Sequence, residues 1–150
     1  MVDTVSVAKR SEIMSRVRNK DTRPELFVRR LIHKAGFRYR LHVSKLPGRP
    51  DLVFPGRKKV VFVHGCFWHS HSGCQNARVP KSRADFWMSK LESNKERDER
   101  NMHALMDEGW DVLVIWECEL RDPELLNRIK DFLEQGINRK ERDARASLLP

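Results

Sequence analysis

The chain has 150 residues, 39% of them apolar, which is enough for one compact core but not for two. It holds no apolar run near the roughly 18–20 residues that span a bilayer and no N-terminal signal peptide, so we expect no membrane association and a cytoplasmic location. The net charge is +9, and residues 1–50 hold 13 Lys/Arg against 4 Asp/Glu, which favours nucleic acid as the partner over an ordinary solvated charged surface.

The first two predicted elements are helical. Residues 10–19 are rich in basic side chains and predict a short helix or arm, so we assign residues 1–20 to an N-terminal basic arm. A second helix begins at Thr22 and ends at Gly36, because Thr22 and Glu25 have the spacing of a capping box and glycine often terminates a helix. Its apolar residues recur with helical spacing, which gives the helix one face for the core.

Three strand-like runs follow, separated by Pro-Gly pairs that favour turns. They are Phe37–His42, Leu52–Phe54 and Lys59–Val63. Further along, the pattern predicts a long helix over about 83–108, a buried strand over Trp110–Trp116 and a closing helix over Pro123–Gln135. This order predicts a single α/β domain over residues 21–137, with a small mixed central sheet flanked by helices, and then a charged C-terminal tail over 138–150.

The three cysteines and a histidine form a set with the composition of a metal site. Cys66, His71 and Cys74 share one loop with the spacing C-x4-H-x2-C, and Cys118 follows the last predicted strand. Tetrahedral zinc takes four nitrogen and sulfur ligands, so the set leaves no open position and predicts a closed structural zinc site. His69 is an alternative to His71 as the ligand. An odd number of cysteines argues against disulfides, and the alternative to a metal site is three unrelated buried thiols.

A second candidate site surrounds Asp51. Asp51 opens one predicted strand, and the next predicted strand leads to His64. A carboxylate on adjacent strand ends is how nucleases of the restriction-endonuclease class hold Mg²⁺ beside a scissile phosphate. The second carboxylate and the lysine that are usual in that class are missing here, and Phe62-Val63-His64 stands in their place. The alternative for Asp51 is a carboxylate that simply starts a strand.

These residues belong to a longer pattern between about residue 10 and residue 135. The motifs are Leu46-Pro47-Gly48-Arg49-Pro50-Asp51, Phe62, His64-Gly65-Cys66-Phe67-Trp68-His69 with His71 and Cys74, Phe86-Trp87, Asn94 with Glu96-Arg97-Asp98, Gly109-Trp110, and Trp116-Glu117-Cys118. In these motifs the chain closely resembles the very-short-patch repair (Vsr) family of mismatch endonucleases. It departs from that family at Val63, where threonine is frequent, and in the run Ser70-His71-Ser72-Gly73, which has one extra residue before Cys74.

The resemblance implies a restriction-endonuclease-like fold and a DNA endonuclease that depends on Mg²⁺. Asp51 would bind the metal ions at the scissile phosphate, together with the backbone carbonyl of Val63, which a change from threonine to valine leaves in place. His64 and Glu25 would hydrogen-bond the waters around the metal. The capping box is the alternative explanation for Glu25, and a strand-end histidine is the alternative for His64.

The resemblance also implies the group that activates the attacking water. His69 would act as the general base, because an imidazole exchanges protons near neutral pH. Asp98, on the long predicted helix, would orient His69 or hold a water.

Aromatic side chains provide a further prediction. The resemblance implies that Phe67, Trp68 and Trp87 intercalate at the mismatch, with Met14 approaching from the other groove. A mispaired step costs less to open than a paired one, so mismatch selectivity would be partly a deformation energy. The alternative is that such residues belong to the core, and for Trp110 and Trp116 the core is what we expect.

The substrate implied by the resemblance is double-stranded DNA with a T:G mismatch, the lesion left when 5-methylcytosine deaminates. The enzyme would nick one strand there and initiate very short patch repair. We expect a monomer, with mismatch-repair proteins as candidate partners. Two alternatives stay open at this point: a zinc-containing restriction or homing-type nuclease that cuts intact duplex, and a non-enzymatic zinc DNA-binding module.

Overall fold

The computed structural model describes residues 21–135. The predicted basic arm over 1–20, with Met14, and the predicted tail over 138–150 lie outside the described residues. The described helices and strands are, in chain order, α1 (Arg23–Lys34), β1 (Leu52–Phe54), β2 (Lys59–His64), α2 (Ala84–Asp107), β3 (Asp111–Trp116) and α3 (Leu125–Glu134). None of these three helices is long and apolar enough to cross a membrane.

The three strands form one mixed sheet with β2 in the centre. β2 runs antiparallel to β1 and parallel to β3. The register aligns Leu52 with Val61, and His64 with Trp116. Because of these directions, the start of β1 and the ends of β2 and β3 meet at one edge of the sheet. Asp51, which precedes β1, therefore comes close to the end of β2.

The sheet lies between two helical layers. Alternate side chains of β2 point to opposite faces, so Val61 and Val63 pack with α1 and α3 while Val60 and Phe62 pack with Leu105 of α2. All six residues of β2 are buried, as a strand covered on both faces requires. The predicted α/β class, with a small mixed sheet flanked by helices, is confirmed.

The two later helices occur close to their predicted bounds. The helix predicted over about 83–108 spans Ala84–Asp107, and Gly109 follows it with a φ of 89°. That left-handed conformation favours glycine and explains why the helix ends there. The helix predicted over Pro123–Gln135 is slightly shorter, at Leu125–Glu134.

The strand predicted over Phe37–His42 is wrong. Arg40 forms one isolated bridge with Val53, through N–H···O bonds of 2.8 and 2.9 Å. β1 has only three residues, and His42 has a φ of 55°, which turns the chain away from the sheet after this single pair. The alternating pattern of the segment was present, but the neighbouring strand is too short to extend the pairing.

Candidate active site and metal centre

A cleft of about 1410 Å³ opens at the sheet edge where the start of β1 meets the end of β2. Its other walls are the beginning of α1 and one face of α2. The structure brings all the predicted catalytic residues within residues 21–135 into the lining of this cleft. They are Glu25, Asp51, Val63, His64, His69 and Asp98.

Asp51 is held in the cleft by the backbone of β2. Its Oδ2 accepts a hydrogen bond from the Val63 N–H at 2.6 Å. Burial raises the pKa of Asp51 to about 7, the Val63 hydrogen bond opposes that rise, and the negative charge of Glu25 adds to it. Two neighbouring carboxylates in a partly desolvated cleft repel each other. A divalent cation that takes oxygen ligands would neutralise their charge. The donor set at Asp51 therefore fits a hard metal ion such as Mg²⁺.

Glu25 is placed by the start of α1. The Thr22 hydroxyl accepts a hydrogen bond from the Glu25 N–H at 3.4 Å, which is half of the predicted capping box. In the other half, the Glu25 carboxylate accepts from the Asp21 N–H at 2.8 Å instead of from the Thr22 N–H. Arg29 also donates to Glu25, at 3.2 Å. Capping thus explains how this buried carboxylate is fixed and leaves it facing the cleft.

His69 and Asp98 form a hydrogen-bonded pair, through His69 Nδ1 and Asp98 Oδ2. An ionised carboxylate can only accept, so this pairing favours the neutral His69 tautomer with the proton on Nδ1 and a lone pair on Nε2. His64 stacks on His69, with ring centroids 3.8 Å apart and planes 5° apart. Burial, helped by the nearby His69, lowers the pKa of His64 to about 4, so His64 is a neutral imidazole at neutral pH.

The four residues of the predicted zinc set converge behind this pair. One ligand atom each from Cys66, His71, Cys74 and Cys118 lies within 4.8 Å of all the others, so the cluster could hold a metal ion. The Cys118 sulfur lies 3.4 Å from His71 Nδ1. Desolvation of its sulfur, together with Cys66 and Cys74, raises the pKa of Cys118 to about 12, so this sulfur stays a protonated thiol unless a cation binds the cluster. His69 belongs to the other cluster, with His64 and Asp98.

Three of the predicted intercalating residues form one aromatic cluster beside the cleft. Phe67 lies 5.1 Å from Trp68 and 5.5 Å from Trp87, measured between ring centroids. Trp68 lines the cleft and is half-buried, whereas Trp87 is only 7% exposed. The Lys90 ammonium lies 5.8 Å from the centre of the Trp68 ring. Insertion of these rings into DNA stays a prediction.

Two residues that support the site were not predicted to do so from the sequence. Arg29 bonds Asp21 at 2.8 Å as well as Glu25, and its only sequence signal is the i,i+4 spacing from Glu25. Trp116, predicted to lie in the core, belongs to neither buried cluster among the described residues and instead stacks on His71 at 4.1 Å. No local pattern could reveal that contact, since it depends on the pairing of β2 with β3.

Comparison with known proteins agrees with this geometry. The family model described as "DNA mismatch endonuclease Vsr" matches residues 2–76. The chain is 51% identical to the type II nicking enzyme V.XorIIP of Xanthomonas oryzae, over 89% of this chain and 98% of that protein. It is 44% identical to the type II nicking enzyme V.NmeAIP of Neisseria meningitidis, over 91% of this chain and 100% of that protein.

A further relative is the DNA mismatch endonuclease Vsr of Escherichia coli. It is 41% identical over 91% of this chain and 88% of its own length. Identity at this level, over nearly the whole of each protein, together with the family match and the site geometry, shows that the chain belongs to the Vsr family of DNA mismatch endonucleases.

Proposed function

We propose that this protein nicks one strand of duplex DNA at a T:G mismatch, the product of 5-methylcytosine deamination, and so initiates very short patch repair. The observation that carries the proposal is the hydrogen-bonded pair His69–Asp98 in the same cleft as the half-buried Asp51 carboxylate. The name of the Escherichia coli relative supports mismatch specificity, and the names of the other two relatives support cutting of a single strand.

His69 is the proposed general base. Because Asp98 fixes the proton on Nδ1, Nε2 is available to take a proton from a water that attacks the scissile phosphate. Asp98 also stabilises the imidazolium that forms once the proton has been transferred. His64, stacked on His69, limits the rotation of its ring.

Asp51 and the carbonyl of Val63 are the proposed Mg²⁺ ligands. When bound, Mg²⁺ would neutralise charge on the scissile phosphate and orient it. The Val63 N–H bond to Asp51 Oδ2 leaves the other carboxylate oxygen for this purpose. His64 Nδ1 is buried and has no hydrogen-bond partner within residues 21–135, and we propose that His64 and Glu25 hydrogen-bond waters in the cleft.

Zn²⁺ is the proposed occupant of the cluster of Cys66, His71, Cys74 and Cys118. Three sulfurs and one nitrogen are a ligand set that zinc takes in closed, structural sites. The ion would join the loop after β2 to the end of β3. We assign it no part in the hydrolysis, because the cluster lies outside the lining of the cleft.

The aromatic cluster of Phe67, Trp68 and Trp87 is the proposed mismatch reader. A T:G step is cheaper to unstack than a paired step, so rings that enter the duplex favour the mismatch. Met14 would enter from the other groove. We expect the enzyme to act as a monomer on cytoplasmic DNA, with mismatch-repair proteins as candidate partners.

A nicking assay tests the proposal. End-labelled duplexes that differ only in a T:G or a T:A pair are incubated with and without Mg²⁺, using the wild type, Asp51→Asn and His69→Ala. We expect Mg²⁺-dependent nicking of one strand of the T:G duplex. His69→Ala should slow it by about 100- to 10,000-fold, the usual contribution of general base catalysis. Asp51→Asn should abolish nicking while DNA binding persists, because the basic surface supplies most of the affinity.

Asp107→Asn is the matched control for Asp51→Asn, since it makes the same change at an exposed position at the end of α2. It should nick like the wild type. Equal cutting of both duplexes would indicate a restriction or homing-type nuclease, and binding without cutting would indicate a DNA-binding module. Substantial Mg²⁺-dependent cleavage by Asp51→Asn would overturn the metal assignment.

A further inference from the structure

Trp116 lies between the two clusters of the site. It is the last residue of β3 and pairs in register with His64, the last residue of β2. Its indole stacks on the His71 ring, with centroids 4.1 Å apart and planes 9° apart. Its edge meets the His64 ring at 5.2 Å and 77°. One flat side chain therefore contacts a residue of the Cys/His cluster and a residue of the cleft.

The contacts continue from His64 to the reacting end of the site. His64 stacks on His69 at 3.8 Å, and His69 is hydrogen-bonded to Asp98. A continuous series of side chains thus runs from His71 through Trp116, His64 and His69 to Asp98. Each contact joins rings or a ring and a carboxylate, so a rotation of one member displaces the next.

The orientation of the His64 ring depends on packing. Within residues 21–135 its side chain makes no hydrogen bond, and its Nδ1 is buried without a partner. The rings of Phe62, at 5.5 Å, Trp116 and His69 surround it instead. Because no protein group in the described residues hydrogen-bonds this imidazole, the neighbouring rings orient it, and Trp116 presents the largest of them.

We propose that Trp116 is a positioning residue: it fixes the His64 ring, and through it His69, and takes its own position from the stack on His71. The proposal rests on the proposed function, because it assigns His69 as the base. Trp116 is not among the residues that line the cleft, so in the described part of the chain it acts through His64 and not on the substrate. Among residues 21–135 it belongs to neither hydrophobic core cluster, so its contacts with His71 and His64 are not ordinary core packing.

Nicking kinetics of Trp116→Leu and Trp116→Phe test the proposal. Trp110→Leu is the matched control, since Trp110 precedes the same strand and packs against the core next to α2. We expect Trp116→Leu to lower kcat on the T:G duplex by about 10- to 100-fold, the usual cost of a base misplaced by about 1 Å, with KM nearly unchanged. Trp116→Phe keeps a flat ring and should recover most of kcat. Trp110→Leu should lower Tm and leave kcat near the wild-type value.

Histidine NMR supplies a readout that does not require activity. In protein labelled at histidine, the ring-proton resonances of His64 and His69 should both shift in Trp116→Leu, whereas those of His33 and His103, which are exposed and do not line the cleft, should not. Loss of the Trp116 ring current alone would shift the His64 resonances. A shift of the His69 resonances as well indicates that the displacement is transmitted from His64 to His69. Should Trp116→Leu fail to fold, Trp116→Met replaces it in both measurements.

Three results would overturn the proposal. The first is a kcat of Trp116→Leu equal to that of the wild type, and the second is an unchanged His69 spectrum in that variant. The third is loss of metal from Trp116→Leu, because Trp116 would then act on the Cys/His cluster. Failure of the proposed function is distinguishable from these. A wild type that does not nick the T:G duplex refutes the function, while the His69 resonances still show whether Trp116 orients that ring.

Discussion

Two carboxylates and one arginine set the charge balance at the bottom of the cleft. Glu25 and Asp51 are neighbours, and the negative charge of Glu25 helps to raise the pKa of Asp51. Arg29 is bonded to Glu25 and Asp21, and its positive charge lowers the pKa of Asp51 by less than burial and Glu25 raise it. Asp51 is left with a single backbone donor. This imbalance is a physical reason to expect a cation at Asp51, independent of family resemblance.

Trp68 offers a test of the mismatch reader at the scale of one residue. We expect Trp68→Ala to reduce the preference for T:G over T:A by about ten- to hundred-fold, since stacking on a base contributes about 1–3 kcal/mol. Affinity for the matched duplex should change little, because it depends on Lys/Arg contacts with phosphate. Competition binding with both duplexes measures the two effects on the same protein.

Trp110→Ala is the control for this substitution. Trp110 packs against the core next to α2, so its truncation should lower the free energy of unfolding by at least about 1 kcal/mol and leave the preference for T:G intact. If Trp68→Ala were instead destabilised and still preferred T:G after correction for its folded fraction, the role of Trp68 would be structural.

At the scale of elements, the Cys/His cluster joins the loop after β2 to the end of β3. We expect Cys118→Ser to lose bound zinc and to melt at a lower temperature, because the free energy of metal binding contributes to folding. Metal analysis and thermal melts measure both effects. All three cysteines belong to the cluster, so the matched comparison is chelation. A chelator should lower Tm of the wild type and leave Tm of Cys118→Ser unchanged. Natively purified wild type without zinc would contradict the assignment.

The elements also show what the sequence could predict. The bounds of α1, α2 and β2 were predictable because the Thr22 cap of α1, the glycine after α2 and the hydrophobic periodicity are local signals. The metal-site set was predictable because three of its members share one loop. The segment Phe37–His42 was not, since a strand needs a partner of matching length and β1 has three residues. The contacts of Trp116 with His71 and His64 arise from strand register, which no single segment encodes.

At the scale of the whole molecule, positive charge is concentrated in the first part of the chain. Residues 1–50 carry 13 Lys/Arg against 4 Asp/Glu, and residues 51–100 carry 10 against 6. Residues 101–150 carry 7 against 11. The cleft is lined mainly by residues from the first hundred, the part of the chain in which Lys and Arg outnumber Asp and Glu. A polyanion would approach from this side and be repelled by the acidic segment around β3 and α3.

Salt dependence tests this orientation. Arg97 is exposed, lies on α2 and lines the cleft, whereas Arg121 is equally exposed but lies outside the cleft among acidic residues that follow β3. Each phosphate that a cation neutralises releases counterions, so Arg97→Gln should reduce the slope of log Kobs against log salt by about 1, measured on a matched duplex without Mg²⁺ between about 50 and 200 mM salt. Arg121→Gln removes the same charge from the molecule and should leave the slope unchanged. If both variants reduced the slope equally, affinity would follow net charge alone, and the basic face around the cleft would have no special part in DNA binding.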